Sequence, residues 1–278
     1  MAIRIITDTS SDYSFEQARA QDMALVSMTI NVGTASYADG IDLTQADFYD
    51  MLLSDGEVPK TSQPTPQDFL EHFERAKANG DEVIAILLSG ELSGTMQSAL
   101  TAREMLGGEG IYVVDSRCAS AGIHVLVEEA RRMIAEGATA PEIVERLNEL
   151  KTRIRIYLGL DTLKYLYRGG RLTRMEAGLG TLASLHPLLA LRDGTLEVCA
   201  KCMGGKKALR KLTEIVAGTP RDEAFPMRFI YSYNDANCRA LMAQFPGAEA
   251  CEVVALGPTL AAHAGPGVYG AVLVEKKP

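Results

Sequence analysis

Cysteine is scarce in this sequence, and its placement limits what it can do. Five cysteines occur in 278 residues, and an odd, scattered set argues against a framework of disulfide bonds. Cys199 and Cys202 have the spacing of a CxxC motif, but they lie in a strand-like run without the second pair that a zinc site needs. We therefore interpret both as strand residues and expect no metal site.

Long apolar runs and an excess of basic residues are also missing. No apolar stretch approaches the roughly 18 residues that a membrane-spanning helix requires. The first residues, 1–6, lead straight into Thr7-Asp8-Thr9 and are too short and too polar for a secretory signal. The net charge of −8 disfavours nucleic acid as a partner. We expect a cytoplasmic protein with no integral membrane association.

The first half of the chain alternates apolar runs of strand length with capped helices. With 47% apolar and 23% charged residues, the composition is that of a globular protein with a substantial core. The order strand, loop, helix is typical of a parallel sheet covered on both faces. Strands are predicted at 3–6, 24–32, 83–88 and 111–114, and helices at about 65–80, 96–106, 122–136 and from 139 onward.

The second half has a different rhythm, with more strands and fewer helices. Arg192-Asp193-Gly194 predicts a hairpin turn. We place a domain boundary in the charged stretch 151–153, giving an N-terminal α/β/α domain with a parallel sheet (1–152) and a C-terminal α/β domain with a mixed sheet (153–278). A ligand would lie at their interface. Strands are predicted at 156–160, 188–191, 196–199, 228–231, 251–256 and 271–274, and helices near 206–216 and 235–245.

Small polar residues gather in four predicted loops, at 8–12, 61–64, 92–95 and 263–267. Ligands of open α/β sheets bind outside the carboxyl ends of strands. Ser93 lies between a buried strand and a helix, so its hydroxyl and the first helical amides could meet an anion. Each residue also has a structural interpretation, with Ser93 as a helix N-cap, Thr61 as a strand-end hydroxyl and His263 as a core histidine.

The order of these motifs along the chain resembles the DegV family. The resemblance runs from about Ile3 to Gly270, and the combination of TSQP with LSGT is its most specific part. The segments that carry it are 5–12, 37–40, 59–66, 92–95, 114–116, 168–171 and 263–267.

The resemblance implies a fatty-acid-binding protein rather than an enzyme. Members of this kind present the carboxylate of a bound fatty acid to the ATP-binding subunit of a bacterial fatty acid kinase, which makes an acyl phosphate. By motif match, Thr61 and Ser93 would bind the carboxylate, and His263 would reach it from the second domain. The ligand would be a long-chain fatty acid such as palmitate or oleate, with no cofactor. The same pocket would be shaped by Ser62, Gly94 and Thr95.

Two positions depart from the family pattern. The arginine that often precedes its Lys-Lys-Ala helix start is missing before Lys206, and Gly90 replaces a common serine. We expect these departures to affect the presentation of the fatty acid to a kinase rather than fatty acid binding itself. A leucine-rich run in the second half could line a tunnel for the tail, although most of its members are expected to be core residues: Leu160, Leu163, Leu166, Leu179, Leu182, Leu185, Leu188, Leu189 and Leu191.

Other functions remain open from the residues alone. A hydrolase or acyltransferase would use Ser93 with His263 as base and Asp8 or Asp115 as orienting group, a triad recognised by geometry. The segment 90–94 approaches the elbow motif G-x-S-x-G but has the wrong spacing.

Two further alternatives involve phosphate chemistry and protein partners. A phosphoryl-transfer protein related to dihydroxyacetone kinases would need a metal cluster, and only Asp8 and Asp12 suggest one. A fatty acid sensor would dock to an acidic partner through the basic cluster Arg168, Arg171 and Arg174. That cluster and the one at 201–211 also fit an ordinary solvated surface.

Overall fold

The protein is described by a computed structural model that covers residues 2–54, 57–171 and 185–277. The first half contains β1 (Ile3–Asp8), α1 (Phe15–Ala20), β2 (Met23–Val26), β3 (Thr29–Val32), β4 (Ala35–Ala38), α2 (Gln45–Leu53), β5 (Lys60–Ser62), α3 (Pro66–Ala78), β6 (Glu82–Leu87), α4 (Thr95–Met105), β7 (Ile111–Asp115), α5 (Ala121–Ala135) and α6 (Ala140–Leu150). The second half contains β8 (Ile154–Gly159), α7 (Lys164–Arg168), β9 (Leu185–Arg192), β10 (Thr195–Met203), α8 (Gly205–Gly218), β11 (Arg228–Tyr231), α9 (Ala236–Met242), β12 (Glu252–Ala255), α10 (Pro258–Ala264) and β13 (Tyr269–Val274).

The first half is a three-layer α/β/α unit. Its four strands pair in parallel in the order β2-β1-β6-β7. Neighbouring residues of a strand point to opposite faces, so Ile6 and Val83 pack in the cluster with α3 and α4, whereas Ile5 and Ile84 pack in the cluster with α5 and α6. The buried apolar runs in the sequence follow from this double coverage. The predicted fold class is confirmed.

Local signals place the helix that follows the TSQP segment. The Thr65 hydroxyl accepts the amide of Asp68, the Asp68 carboxylate accepts the amide of Thr65, and Pro66 occupies the first turn. This capping box satisfies amides that would otherwise lack partners at the helix start. Gly80 has a φ of +72° just beyond the helix end, as the sequence predicts.

The second half is built on a six-stranded mixed sheet in the order β10-β9-β8-β13-β11-β12. Strands β11 and β12 are parallel, and the other described pairs are antiparallel. Asp193 and Gly194 both have positive φ, 49° and 87°, in the turn between β9 and β10. Positive φ at both central residues is the mark of the predicted two-residue hairpin.

Helix α5 lies between the two sheets. One face of the six-stranded sheet packs against α8 and α9, and the other packs against α5 of the first half. Gly122 allows this approach, because a Cβ there would lie 2.8 Å from Ile156 Cδ1. Because this helix is packed on most of its sides, every residue from Ala121 to Ala130 except Glu128 is buried.

Two sequence predictions in the first half are wrong. The run 24–32 is not one strand, because Met28 donates its amide to Thr9 Oγ1 (3.0 Å) and the chain leaves the first sheet. Strand β3 instead joins a small antiparallel sheet, β4-β3-β5, so Thr61 and Ser62 lie in a strand rather than a loop. An apolar run alone does not reveal such a change of sheet.

The segment 263–267 is also not wholly a loop, since His263 lies in the last turn of α10. Helices α1, α2, α7 and α10 were not predicted. The boundary at residue 152 falls in the 3-10 turn Lys151–Arg153 and stays a prediction. Three residues named above, Arg174, Leu179 and Leu182, lie outside the described residues.

The two cysteines of the CxxC motif are ordinary strand residues. Cys199 and Cys202 lie in β10 and are free thiols, as their interpretation as strand residues requires. Within the described ranges, no group of three or more His, Cys, Asp or Glu side chains is arranged to hold a metal ion. None of the helices in those ranges is both long and apolar enough to span a bilayer.

Candidate functional site

A cavity of about 330 Å³ lies between the two halves. This volume is within the range of pockets that hold small molecules. The first half contributes Met28, Thr61, Ser62, Gln63, Leu88, Leu92, Ser93, Ala119 and Ser120 to its lining. The second half contributes Ile156, Leu158, Leu166, Arg171, Leu191, Leu196, Ile230, Leu256, Thr259, Leu260, His263 and Ala264.

Thr61 and His263 meet across the two halves. Thr61 is held in β5 by its pairing with Ile30 of β3, and His263 extends from α10. Thr61 Oγ1 and His263 Nε2 are 2.6 Å apart and form a hydrogen bond. Residues 202 positions apart in the sequence therefore form one polar contact on the cavity wall.

His263 is neutral at physiological pH. Its burial lowers its pKa to about 4, and the positive charge of Arg171 acts in the same direction. Gly169 allows the tight packing, since a Cβ there would lie 2.2 Å from His263 Nδ1. His263 Nδ1 is buried and has no hydrogen-bond partner among the described residues. The ring is therefore a neutral group with one nitrogen committed to Thr61.

Ser93 lines the cavity from the loop before α4. Its hydroxyl lies 2.9 Å from Thr95 Oγ1 and accepts the amide of Thr95 at 3.3 Å. Gly94, rather than Ser93, is the N-cap residue of the helix. A Cβ at Gly94 would lie 2.0 Å from Gln63 Oε1, so this glycine makes room for Gln63. Gly94 and Thr95 do not line the cavity themselves but hold residues that do.

The structure brings four of the six predicted site residues to the cavity: Thr61, Ser62, Ser93 and His263. Ser62 is the most exposed of them, and its hydroxyl accepts a hydrogen bond from Asn31 Nδ2 at 2.9 Å. What these residues bind stays a prediction. Of the leucine run, Leu166 and Leu191 line the cavity.

Arg171 is a cavity residue that the sequence analysis assigned to a surface cluster. Its Nε donates to the carbonyl of Leu92 (3.1 Å), and its Nη1 donates to the carbonyl of Gly169 (2.5 Å). Its burial lowers the pKa of the guanidinium. These two carbonyls hold the positive charge on the wall of the cavity that Ser93 and His263 also line. The available signal was the motif resemblance, because residues 168–171 are among the segments that resemble the DegV family.

The triad considered for a hydrolase is not formed among the described residues. His263 Nδ1 meets no carboxylate. Asp8 instead accepts the amides of Ser10 and Leu88, each at 2.9 Å. Asp115 accepts the amide of Arg117 at 2.8 Å. Without an orienting acid, His263 lacks the arrangement by which a base activates serine.

The sequence profile described as "Uncharacterised protein, DegV family" matches residues 2–276. Among curated relatives, a DegV domain-containing protein of Caldanaerobacter subterraneus is 41% identical over 222 residues, which cover 80% of this chain and 79% of that protein. A DegV domain-containing protein of Staphylococcus aureus is 28% identical over 277 residues, 98% of each chain.

Solved structures agree over the whole length. A DegV family protein from Thermus thermophilus, described for its fatty acid binding, superposes with a TM-score of 0.88 at 29% identity and covers 99% of this chain and all of its own. A fatty acid binding DegV family protein from Streptococcus agalactiae gives 0.88 at 27% identity, with both chains fully covered. This chain is a member of the DegV family.

Proposed function

We propose that this protein binds one long-chain fatty acid in the cavity between its halves and holds its carboxylate with a polar cluster of Thr61, Ser93, Arg171 and His263, in which His263 orients the Thr61 hydroxyl. The observation that carries the proposal is the cavity itself, which combines apolar walls with one polar cluster. Two DegV proteins of the same fold, from Thermus thermophilus and Streptococcus agalactiae, are described as fatty acid binding, which supports the ligand class.

The polar cluster suits a carboxylate. A buried carboxylate is costly unless donors meet its oxygens, and hydrogen bonds to a charged group are among the strongest available. With its proton on Nε2, neutral His263 donates to Thr61 Oγ1, which leaves the Thr61 hydroxyl free to donate to the ligand. Ser93 supplies a second hydroxyl, and Arg171 supplies the compensating charge.

The apolar walls suit the tail. Burying a chain of about 16 carbons at roughly 0.8 kcal/mol per methylene gives about 10–12 kcal/mol of gross driving force. Ordering the ligand and losing its free motion reduces that value considerably. The affinity then comes mainly from the tail, while the polar cluster fixes the orientation. Palmitate and oleate are the ligands to test first.

The partner we propose is the ATP-binding subunit of a fatty acid kinase. A carboxylate destined for phosphorylation must stay reachable, and two hydroxyls with one arginine hold it without surrounding it with charge. The arginine that the family pattern places before Lys206 is missing from this chain. Arg171 supplies a positive charge at the polar cluster instead. The cytoplasmic location remains a prediction from the sequence.

Calorimetric titration of the delipidated protein with palmitate and oleate tests the carrier function. We expect a stoichiometry of one and an affinity that falls in Thr61→Ala and Ser93→Ala. For the partner, the loaded protein is mixed with a kinase ATP-binding subunit and ATP, and the acyl phosphate is trapped with hydroxylamine. Binding without hydroxamate formation would leave a carrier and remove the kinase role.

A further inference from the structure

Helix α10 is held at its start by two buried carboxylates from the other half of the molecule. The Asp39 carboxylate accepts the hydroxyl of Thr259 and also its amide, the latter at 3.3 Å. Asp12 Oδ1 accepts the amide of Gly257 at 2.8 Å. Gly257, Pro258 and Thr259 form the first turn of the helix, where backbone amides have no partners within the helix.

The other end of the same helix carries His263 to Thr61, at 2.6 Å. Six positions, fewer than two helical turns, separate the Gly257 amide held by Asp12 from the His263 imidazole that faces the cavity. A helix this short transmits a shift of its first turn to its last. A shift of the first turn would therefore move His263 relative to Thr61.

We propose that Asp39, assisted by Asp12, is a positioning residue for the carboxylate-binding cluster: it docks the first turn of α10 so that His263 meets Thr61. The proposal rests on the proposed function and adds to it a residue that does not line the cavity. It also gives a role to the Tyr37-Ala38-Asp39-Gly40 segment, which the binding site itself does not use.

The environment of Asp39 fits a docking role rather than a solvated turn. Its exposed fraction is 2%. Burial raises the pKa of Asp39, while hydrogen bonds from Thr259, Thr9 and two backbone amides lower it. Asp39 also donates its own amide to Met28 O at 2.9 Å, and Met28 lines the cavity. A buried carboxylate surrounded by donors on both halves fixes their relative position at this point.

The test compares two ligands that share a tail, palmitate and hexadecanol, because only the acid presents a charged group to the cluster. We expect the wild-type protein to bind palmitate about tenfold or more tightly than hexadecanol, since only the carboxylate accepts charge-assisted hydrogen bonds. In Asp39→Ala this preference should fall to about threefold or less. Thr259→Val removes the partner hydroxyl with little change in shape and should lower the preference in the same direction. Asp39→Asn keeps an acceptor for Thr259 and should retain the preference.

Controls separate positioning from simple loss of stability. Glu128 forms an ion pair with Arg228 across the two halves but away from α10, so Glu128→Gln should leave the preference unchanged. Equal losses for palmitate and hexadecanol in both Asp39→Ala and Thr259→Val would overturn the proposal and leave a purely structural role. A wild-type protein that binds neither ligand would instead refute the proposed function.

Discussion

The two sides of the cavity are built in different ways. The side from the first half carries the predicted hydroxyl residues Thr61, Ser62 and Ser93, which we call the hydroxyl face. The side from the second half includes one face of the six-stranded sheet, which we call the apolar wall: Ile156, Leu158, Leu191, Leu196 and Ile230. Residue Leu191 pairs with Ile156 on one neighbouring strand and with Leu196 on the other.

The difference separates affinity from orientation. The apolar wall removes methylene groups from water and has no directional preference. The hydroxyl face contributes few atoms, but its hydrogen bonds require a ligand oxygen at a defined place. His263 and Arg171 come from the second half yet belong functionally to the hydroxyl face. Changes to the tail and to the head group should therefore have separable effects.

Shortening the ligand should have the largest effect. Octanoate has the carboxylate of palmitate but eight fewer methylenes, each contributing roughly 0.8 kcal/mol. We expect its affinity to be lower by several kcal/mol, measured by calorimetry on the delipidated protein. A loss of less than about tenfold, or 1.4 kcal/mol, would contradict the assignment of affinity to the apolar wall.

Removing hydroxyls should have the next largest effect, and only for acids. Thr61→Ala or Ser93→Ala should weaken palmitate binding by about 1–3 kcal/mol, because a buried carboxylate is left short of a donor. Ser62→Ala should cost less than about 0.5 kcal/mol, since that residue is exposed and already engaged by Asn31. Hexadecanol serves as the control ligand. Unchanged palmitate affinity in both of the first two variants would remove Thr61 and Ser93 from the site.

The acid Asp12, which holds the start of α10, should make stability fall as pH rises. Burial raises the pKa of Asp12 to about 8 from an ordinary value of 3.8, so the folded chain keeps a proton that the unfolded chain loses. The stabilisation that this proton gives to the folded chain is complete below about pH 4 and is lost as pH rises towards 8. His263, with its pKa lowered to about 4, opposes it only below about pH 6.5.

Between pH 6.5 and 8, the free energy of unfolding should therefore fall by about 1–2 kcal/mol. Denaturant titrations at the two pH values measure it. Asp12→Asn, which keeps an acceptor for the Gly257 amide, should flatten the dependence. A variant as pH-sensitive as the wild type would show that other groups are responsible.

Trimming the apolar wall should have the smallest effect. Ile156→Val removes one methyl group and should cost about 0.5–1.5 kcal/mol of stability. Its effect on binding should be under about 1 kcal/mol and equal for palmitate and hexadecanol, because both share the tail. A loss confined to palmitate would place Ile156 next to the head group and contradict the comparison.

Local signals in the sequence predicted the scaffold well. The capping box at Thr65 and Asp68, the hairpin at Asp193-Gly194 and the apolar strands of the parallel sheet all depend on neighbours in the chain. The change of sheet at Met28 was missed because it depends on a hydrogen bond from a distant residue, Thr9. Helix α10 was missed because its first turn is capped by Asp12 and Asp39 rather than by a nearby side chain.

The same distinction between local signals and long-range contacts applies to the cavity residues. Thr61, Ser93 and His263 were identified through motif resemblance, and the structure places all three on one cavity. Arg171 was misassigned because its position depends on the carbonyls of Leu92 and Gly169. A basic residue in a charged segment gives no indication of such partners. Contacts between the halves are a property of tertiary packing, which local patterns do not encode.

Extraction of the purified protein tests the central claim most directly. Denaturing the freshly purified chain in organic solvent and analysing the extract by mass spectrometry should yield about one long-chain fatty acid per protein molecule. An extract without fatty acid, together with no uptake of added palmitate or oleate, would contradict the account.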